Sequence, residues 1–283
     1  MRNNYIATPD IKLFNEVVQK MRAFFLSKGY VEVHTQDRLS ILAACEDPET
    51  VATYTYAGQI WPLPQTGQMW LEYELLTKPE IPGVFCVSTS YRQEPRPVPG
   101  RHNIVFPMFE FESHGTLDDL RKLEIELLEY MGFGKEEDFK HFTYKELAQR
   151  YDVEELTNEH EMKMDAEIAH NTFIEYFPET TSPFWNMKRQ DAETAKKIDV
   201  IMYGMETIGS AEREVDKEIM RKRFDTISNG GYAQKLYDLF GRDRVEKELN
   251  EFLELEFFPR FGGGIGMTRM MRAYEILNGG VKN

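Results

Sequence analysis

The chain has 283 residues, of which 41% are hydrophobic and 13% aromatic, which is enough to bury a full core and too apolar for a disordered segment. Its net charge of −14 weighs against a large nucleic-acid footprint, which needs a clustered basic face, and no apolar run reaches membrane-spanning length. Cys45, Cys86 and six scattered histidines make neither a zinc spacing nor a disulfide framework, so a reducing, cytoplasmic location is expected.

Asp10 to Lys28 reads as a helix, with Ile11, Phe14, Val17, Val18, Met21, Phe24 and Phe25 on one face and Gly29 ending it. Tyr30 to Thr35 is a short strand. Ser40 to Gln59 is a mixed segment that contains Ala43-Ala44-Cys45-Glu46. Thr66 then serves as N-cap of a helix whose early residue Gln68 carries an amide that must find partners if buried.

Gly83 to Ser90 is a strand rich in Val, Phe, Ser and Thr. Pro95, Pro97, Pro99 and Gly100 cannot continue its ladder, since proline lacks the N–H donor, and Ile104 to Glu112 returns as a second strand. Alternation puts Phe106, Met108, Glu110 and Glu112 on one face of this long-looped hairpin, beside a loop bearing Arg92, Glu94, Arg96, Arg101 and His102. Carboxylates and a ring on one sheet face make a poor core. They suit a nucleotide: arginine for phosphate, ring for base, glutamate for metal or amine. A solvated face with scattered ion pairs would carry the same residue types.

Thr116 to Tyr130 is a helix with Thr116 and Asp119 as a capping box. The acidic stretch that follows, Lys135 to Asp165, is helical in outline, so about 116–170 reads as a helical insertion with a solvated face. Thr172 to Pro178 and Lys196 to Met202 are strands. The second opens an Asp-x₆-Glu-x₆-Arg series at Asp199, Glu206 and Arg213. Helices follow at Asp216 to Phe224, Gly231 to Phe240 and Asp243 to Leu255. A glycine run, Gly262 to Gly266 around Ile265, then leads into a last helix, Met267 to Leu277, that carries Arg269. A glycine run alone is more often a turn than a site.

Together these stretches resemble the catalytic core of class II aminoacyl-tRNA synthetases. Arg92-Gln93-Glu94 with Arg101-His102 and Phe106 resembles motif 2, and the glycine run with Arg269 resembles motif 3. The Asp-x₆-Glu-x₆-Arg series narrows the resemblance to the aspartyl/asparaginyl subgroup, with the asparaginyl type closest. It runs from Asp10 to Leu277 and implies an α+β fold, a mixed and mainly antiparallel sheet flanked by helices, in a single domain over 1–283 without an anticodon-binding domain.

The resemblance also implies ATP and Mg²⁺. Arg92 and Arg269 would be catalytic, spreading the triphosphate charge. Glu94, Arg101 and His102 would bracket the nucleotide, Phe106 would stack on adenine, and Asp199 and Glu206 would hold the metal, Glu206 touching ATP as well. Amino-acid contacts would fall to Glu46, Gln68, Glu110 and Arg213. Motif 1, at the first helix and strand, implies a homodimer, although Gln36 stands where a proline is expected. Glu110 replaces the aspartate of the aspartyl enzymes, so the activated acid is aspartate or asparagine-like. The expected product is an acyl-adenylate, passed to ammonia or another amine as in the asparagine synthetases related to asparaginyl-tRNA synthetase, with tRNA not expected. Two other readings stay open: a silent paralogue that binds an amino acid and regulates a partner, and aminoacyl transfer to a protein or tRNA.

Overall fold

In the computed structural model, which describes residues 6–35, 50–95, 97–181 and 183–280, an eight-stranded sheet organises the chain. Its strands lie in the order β1 (Val31–Glu32), β4 (Gly83–Tyr91), β5 (Val105–His114), β10 (Arg260–Gly266), β9 (Met205–Glu212), β8 (Thr194–Met202), β7 (Asn171–Pro178) and β6 (Lys140–Thr143). Every pairing is antiparallel except the two at the edges, β1 with β4 and β6 with β7. The fold is α+β, as expected. A separate ribbon joins β2 (Ala52–Tyr56) to β3 (Gln59–Leu63).

Three helices, α1 (Ile11–Ser27), α3 (Leu117–Met131) and α9 (Met267–Leu277), bury one face of the sheet. α1 starts where Asp10 accepts from the N–H groups of Lys12 and Leu13, at 3.0 and 2.9 Å, and its apolar stripe delivers Phe25 to the sheet. Phe25 lies 5.0 to 5.7 Å, centroid to centroid, from Phe85, Phe109 and Phe111, all fully buried. Since Phe109 and Phe111 point to the helices, the pleat turns Met108, Glu110 and Glu112 to the other face.

On that other face sit α2 (Gln68–Thr77) and a second core, in which α6 (Lys217–Thr226), α7 (Gly231–Phe240) and α8 (Arg242–Leu253) close around Trp185. The glycine run is a central strand, paired on both sides, and not only the approach to a helix. Side chains of its neighbours lie so close over it that added Cβ atoms would strike them.

The stretch read as a helical insertion is joined to the sheet. α3 lies in the main core, β6 is an edge strand, and α4 (Tyr144–Tyr151) and α5 (Asn158–Glu167) pack through Tyr144, Leu147 and Met164. Among the described residues no helix is long and apolar enough to cross a membrane.

Candidate active site

A cleft of about 270 Å³ opens on the sheet face away from α1, α3 and α9. Two elements supply its cations. The loop after β4 brings Arg92 and Arg101, and the first turn of α9 brings Arg269 beside Gly266 and Thr268, where the positive end of the helix also favours an anion. Phe106 forms a wall, with the Arg92 guanidinium 5.7 Å from its ring centre. His102 Nδ1 and Glu94 Oε2 are 2.8 Å apart at the rim.

Arg269 Nη1 donates to the backbone oxygen of Glu206 at 2.7 Å and stands 3.7 Å from its carboxylate. On the β8–β9 hairpin, Asp199 pairs opposite Gly209, and a register shift between Val200 and Ile201 breaks the alternation beyond it, the sort of bulge that re-aims a side chain. A Cβ added at Gly209 would stand 3.2 Å from Glu206 Oε1 and 3.5 Å from Asp199 Oδ1, so both carboxylates converge on one point. Lys197 Nζ donates to Asp199 Oδ2 at 2.9 Å. Among the described residues no cluster of three His, Cys, Asp or Glu could enclose a metal. Two hard oxygen donors beside a cleft with space for phosphate and water fit Mg²⁺, which keeps waters and leans on substrate phosphates.

A smaller cavity adjoins the cleft and shares Gln68 and Gly209 with it; Lys197 and Arg213 also line it. Gln68 Nε2 is buried there with no hydrogen-bond partner among the described residues. Arg213 is held bidentately by Glu112, at 3.1 Å for both Nε and Nη2, and lies 3.5 Å from Glu72. Glu72 in turn accepts from Arg260 Nε at 3.1 Å and from Asn186 Nδ2 at 2.5 Å. These four charges alternate in sign, which makes their burial tolerable. Burial pushes the Glu112 carboxyl up to about 7, against the opposing pull of Arg213.

Glu110 lines the cleft, but its own carboxylate is engaged by the fold. Gly67 N–H donates to both oxygens at 3.1 and 2.9 Å, Ser88 Oγ donates at 2.5 Å, and Thr66 Oγ1 donates as well. The N-cap of α2 is Gly67, not Thr66, with the buried Glu110 anion at that helix end. Thr66 Oγ1 accepts from the N–H of Gln68, two residues further on, at 3.1 Å.

Most residues singled out in the sequence therefore meet at one place. Arg92, Glu94, Arg101, His102, Phe106, Glu110, Gln68, Glu206 and Arg269 line the cleft, Asp199 sits beneath Gly209, and Arg213 lines the adjoining cavity. Glu46, Gln36 and Arg96 lie outside the described residues. Two residues go unremarked in the sequence. Lys197 could have been found from its place two before Asp199 on the same strand face. Glu161 of α5 pairs with Arg101 and accepts from Glu206 N at 2.8 Å, and nothing local distinguishes it from the acids around it.

The family model for tRNA synthetases class II (D, K and N) matches residues 2–275. Asparaginyl-tRNA synthetase from Pyrococcus horikoshii, complexed with asparaginyl-adenylate, is similar at 20% identity with a TM-score of 0.77, over 95% of this chain and 65% of that one. Asparaginyl-tRNA synthetase from Entamoeba histolytica, in complex with the same adenylate, gives 17% identity, a TM-score of 0.72, and 93% and 63% coverage. A putative aspartyl-tRNA synthetase from Leishmania major Friedlin gives 16%, 0.73, 94% and 62%. The chain spans less than two thirds of the length of each, and at these identities the likeness is one of fold. No curated protein matches the sequence.

Proposed function

The chain belongs to the class II tRNA synthetases (D, K and N), and from that premise we propose that it activates an amino acid with ATP, forming an acyl-adenylate and pyrophosphate. The observation that carries this reading is the convergence of Arg92, Arg269, Phe106 and Glu206 on one cleft. The substrate carboxylate attacks the α-phosphorus, a new acyl–phosphate bond forms, and the bond to pyrophosphate breaks. Arg92 and Arg269 face the phosphates from two elements and stabilise the charge that spreads over them, with no reorganisation needed at the moment of reaction. Phe106 offers its ring to the base. Asp199 and Glu206 would hold Mg²⁺, which when bound neutralises phosphate charge.

The acid we assign is aspartate. Gln68 Nε2 offers an unused donor, and Lys197 and Arg213 put positive charge around the adjoining cavity. The engagement of Glu110 by Thr66, Gly67 and Ser88 weakens its opposition to a second carboxylate. The acceptor we assign is ammonia, giving the amide, because a net charge of −14 leaves little counterion release to drive tRNA binding. A homodimer formed through α1 and β1 is part of the same reading, supported by the exposure there of Ile11, Leu26 and Val31.

The experiment supplies aspartate, ATP, Mg²⁺ and ammonium and looks for asparagine, AMP and pyrophosphate in equal amounts. A parallel reaction replaces ammonium with total tRNA. Efficient charging of tRNA would overturn the acceptor, while robust pyrophosphate exchange with neither product would keep the adenylation and reject ammonia.

A further inference from the structure

We infer that Glu161 is a positioning residue for nucleotide binding, acting through Arg101 and the start of β9, which carries Glu206. The inference rests on the ATP-binding reading of the cleft and extends it to a helix that no motif of the sequence touches.

Glu161 Oε2 accepts two hydrogen bonds at once, one from Arg101 Nη2 and one, at 2.8 Å, from the backbone N–H of Glu206. The Glu161 and Arg101 side chains are only 14% and 11% exposed. Burial raises the Glu161 carboxyl against the lowering pull of Arg101, so its site is a desolvated one. α5 cannot swing freely, because Met164, one turn on, is fully buried against Tyr144 and Leu147. One rigid oxygen thus ties an arginine that lines the cleft to the start of β9, which bears the Glu206 carboxylate. Arg101 Nε is itself buried, with no hydrogen-bond partner among the described residues, although Arg101 lines the cleft. A ligand oxygen would satisfy it.

Two effects of Glu161 on a triphosphate oppose each other. Its charge repels the phosphates, and its geometry orders Arg101 in advance. Substitutions separate them. Glu161→Gln removes the charge, yet a single amide oxygen can accept both bonds. Glu161→Asp keeps the charge and loses the reach. Glu161→Ala loses both.

Binding of Mg–ATP to the full chain, measured by calorimetry without amino acid, should weaken about 3- to 10-fold in the Asp and Ala variants, the range for ordering one long side chain. Gln should stay within about twofold of wild type. In pyrophosphate exchange, KM for ATP should rise with little change in KM for the amino acid. With Arg101→Ala already present, Glu161→Asp should cost clearly less than it does alone, which a general loss of structure would not produce. Should the Ala variant fail to fold, the Asp variant and this cycle carry the test.

An Asp variant that matches wild type, or a Gln variant that matches Ala, would show that charge and not position is at work and would overturn the inference while adenylation stands. Expected binding shifts without any exchange would keep Glu161 in this role and remove adenylation. A wild-type chain that binds no Mg–ATP would overturn both.

Discussion

The Glu112 carboxylate lies across Gly262, where an added Cβ would come within 1.7 Å of Oε2. Glycine at that point of β10 lets Glu112 stay level with Arg213, which it holds through two hydrogen bonds of 3.1 Å. Gly262→Ala must displace a buried ion pair in the centre of the sheet. It should cost about 3 kcal/mol in denaturant unfolding, the upper end of overpacking costs, and weaken amino-acid use in whatever protein still folds. A loss below about 0.5 kcal/mol, as at an ordinary surface site, would mean that the carboxylate moves aside freely.

Glu124 of α3 is fully buried, and burial pushes its carboxyl up to about 8, with Asp199 and Glu175 adding to the effect against a hydrogen bond from Ser210. Ser210 Oγ lies 2.7 Å from Glu124 Oε1 and 3.1 Å from the Ile198 carbonyl, two acceptors for one hydroxyl proton. A protonated Glu124 that donates to Ser210 resolves this, since the serine proton can then go to Ile198. The folded pKa stands above the ordinary carboxylate value, so the stabilisation is full below about pH 4 and fades as pH rises through about 8. Glu124→Gln should remove that fade. Melting temperatures measured from pH 5 to 9 should diverge in favour of the variant as pH rises, and a constant gap would contradict a buried, protonated Glu124.

Arg269→Ala should leave the fold intact and lower exchange by about 10²–10³-fold, the range for losing a contact made mainly in the transition state. Arg269 stands in the first turn of α9, where its side chain serves the cleft and the Glu206 carbonyl rather than the core. A thermal melt alongside the kinetics separates the two effects. Turnover near wild type would take Arg269 out of the chemistry.

Chelation should abolish exchange, and Mg²⁺ in excess should restore it. Glu206→Gln and Asp199→Asn should each raise the Mg²⁺ needed for half-maximal rate by more than about tenfold, since each removes a hard oxygen donor from a site that has few. Unchanged Mg²⁺ dependence in both variants would move the metal away from the point beside Gly209 where the two carboxylates meet.

Spacing made much of this site legible, and distance in the chain hid the rest. Asp199, Glu206 and Arg213 belong to one hairpin or its end, so local geometry fixes their relation and the sequence carries it. Arg92 and Phe106 likewise belong to paired strands or the loop between them. Glu72 and Arg260, by contrast, are 188 residues apart, and only the packing of α2 against β10 brings them together. The glycine run reads as a turn because glycine disfavours strands, and only the side chains on the two neighbouring strands, Glu112, Phe111, Met108 and Ser210, explain it. Glu161 lies 60 residues from Arg101, in an acidic stretch where composition suggests a solvated face. Its role depends on a helix docked by Met164, which no local pattern announces.

Amino-acid-dependent exchange of labelled pyrophosphate into ATP, run with Mg²⁺ and each of the twenty amino acids in turn, tests the adenylation chemistry without assuming an acceptor. Exchange should appear with aspartate, be absent without an amino acid, and fall at least about 10²-fold in the Arg269→Ala variant. Absence of exchange with all twenty, in a chain that still binds Mg–ATP in the cleft, would contradict the account and identify a nucleotide-binding protein without this chemistry.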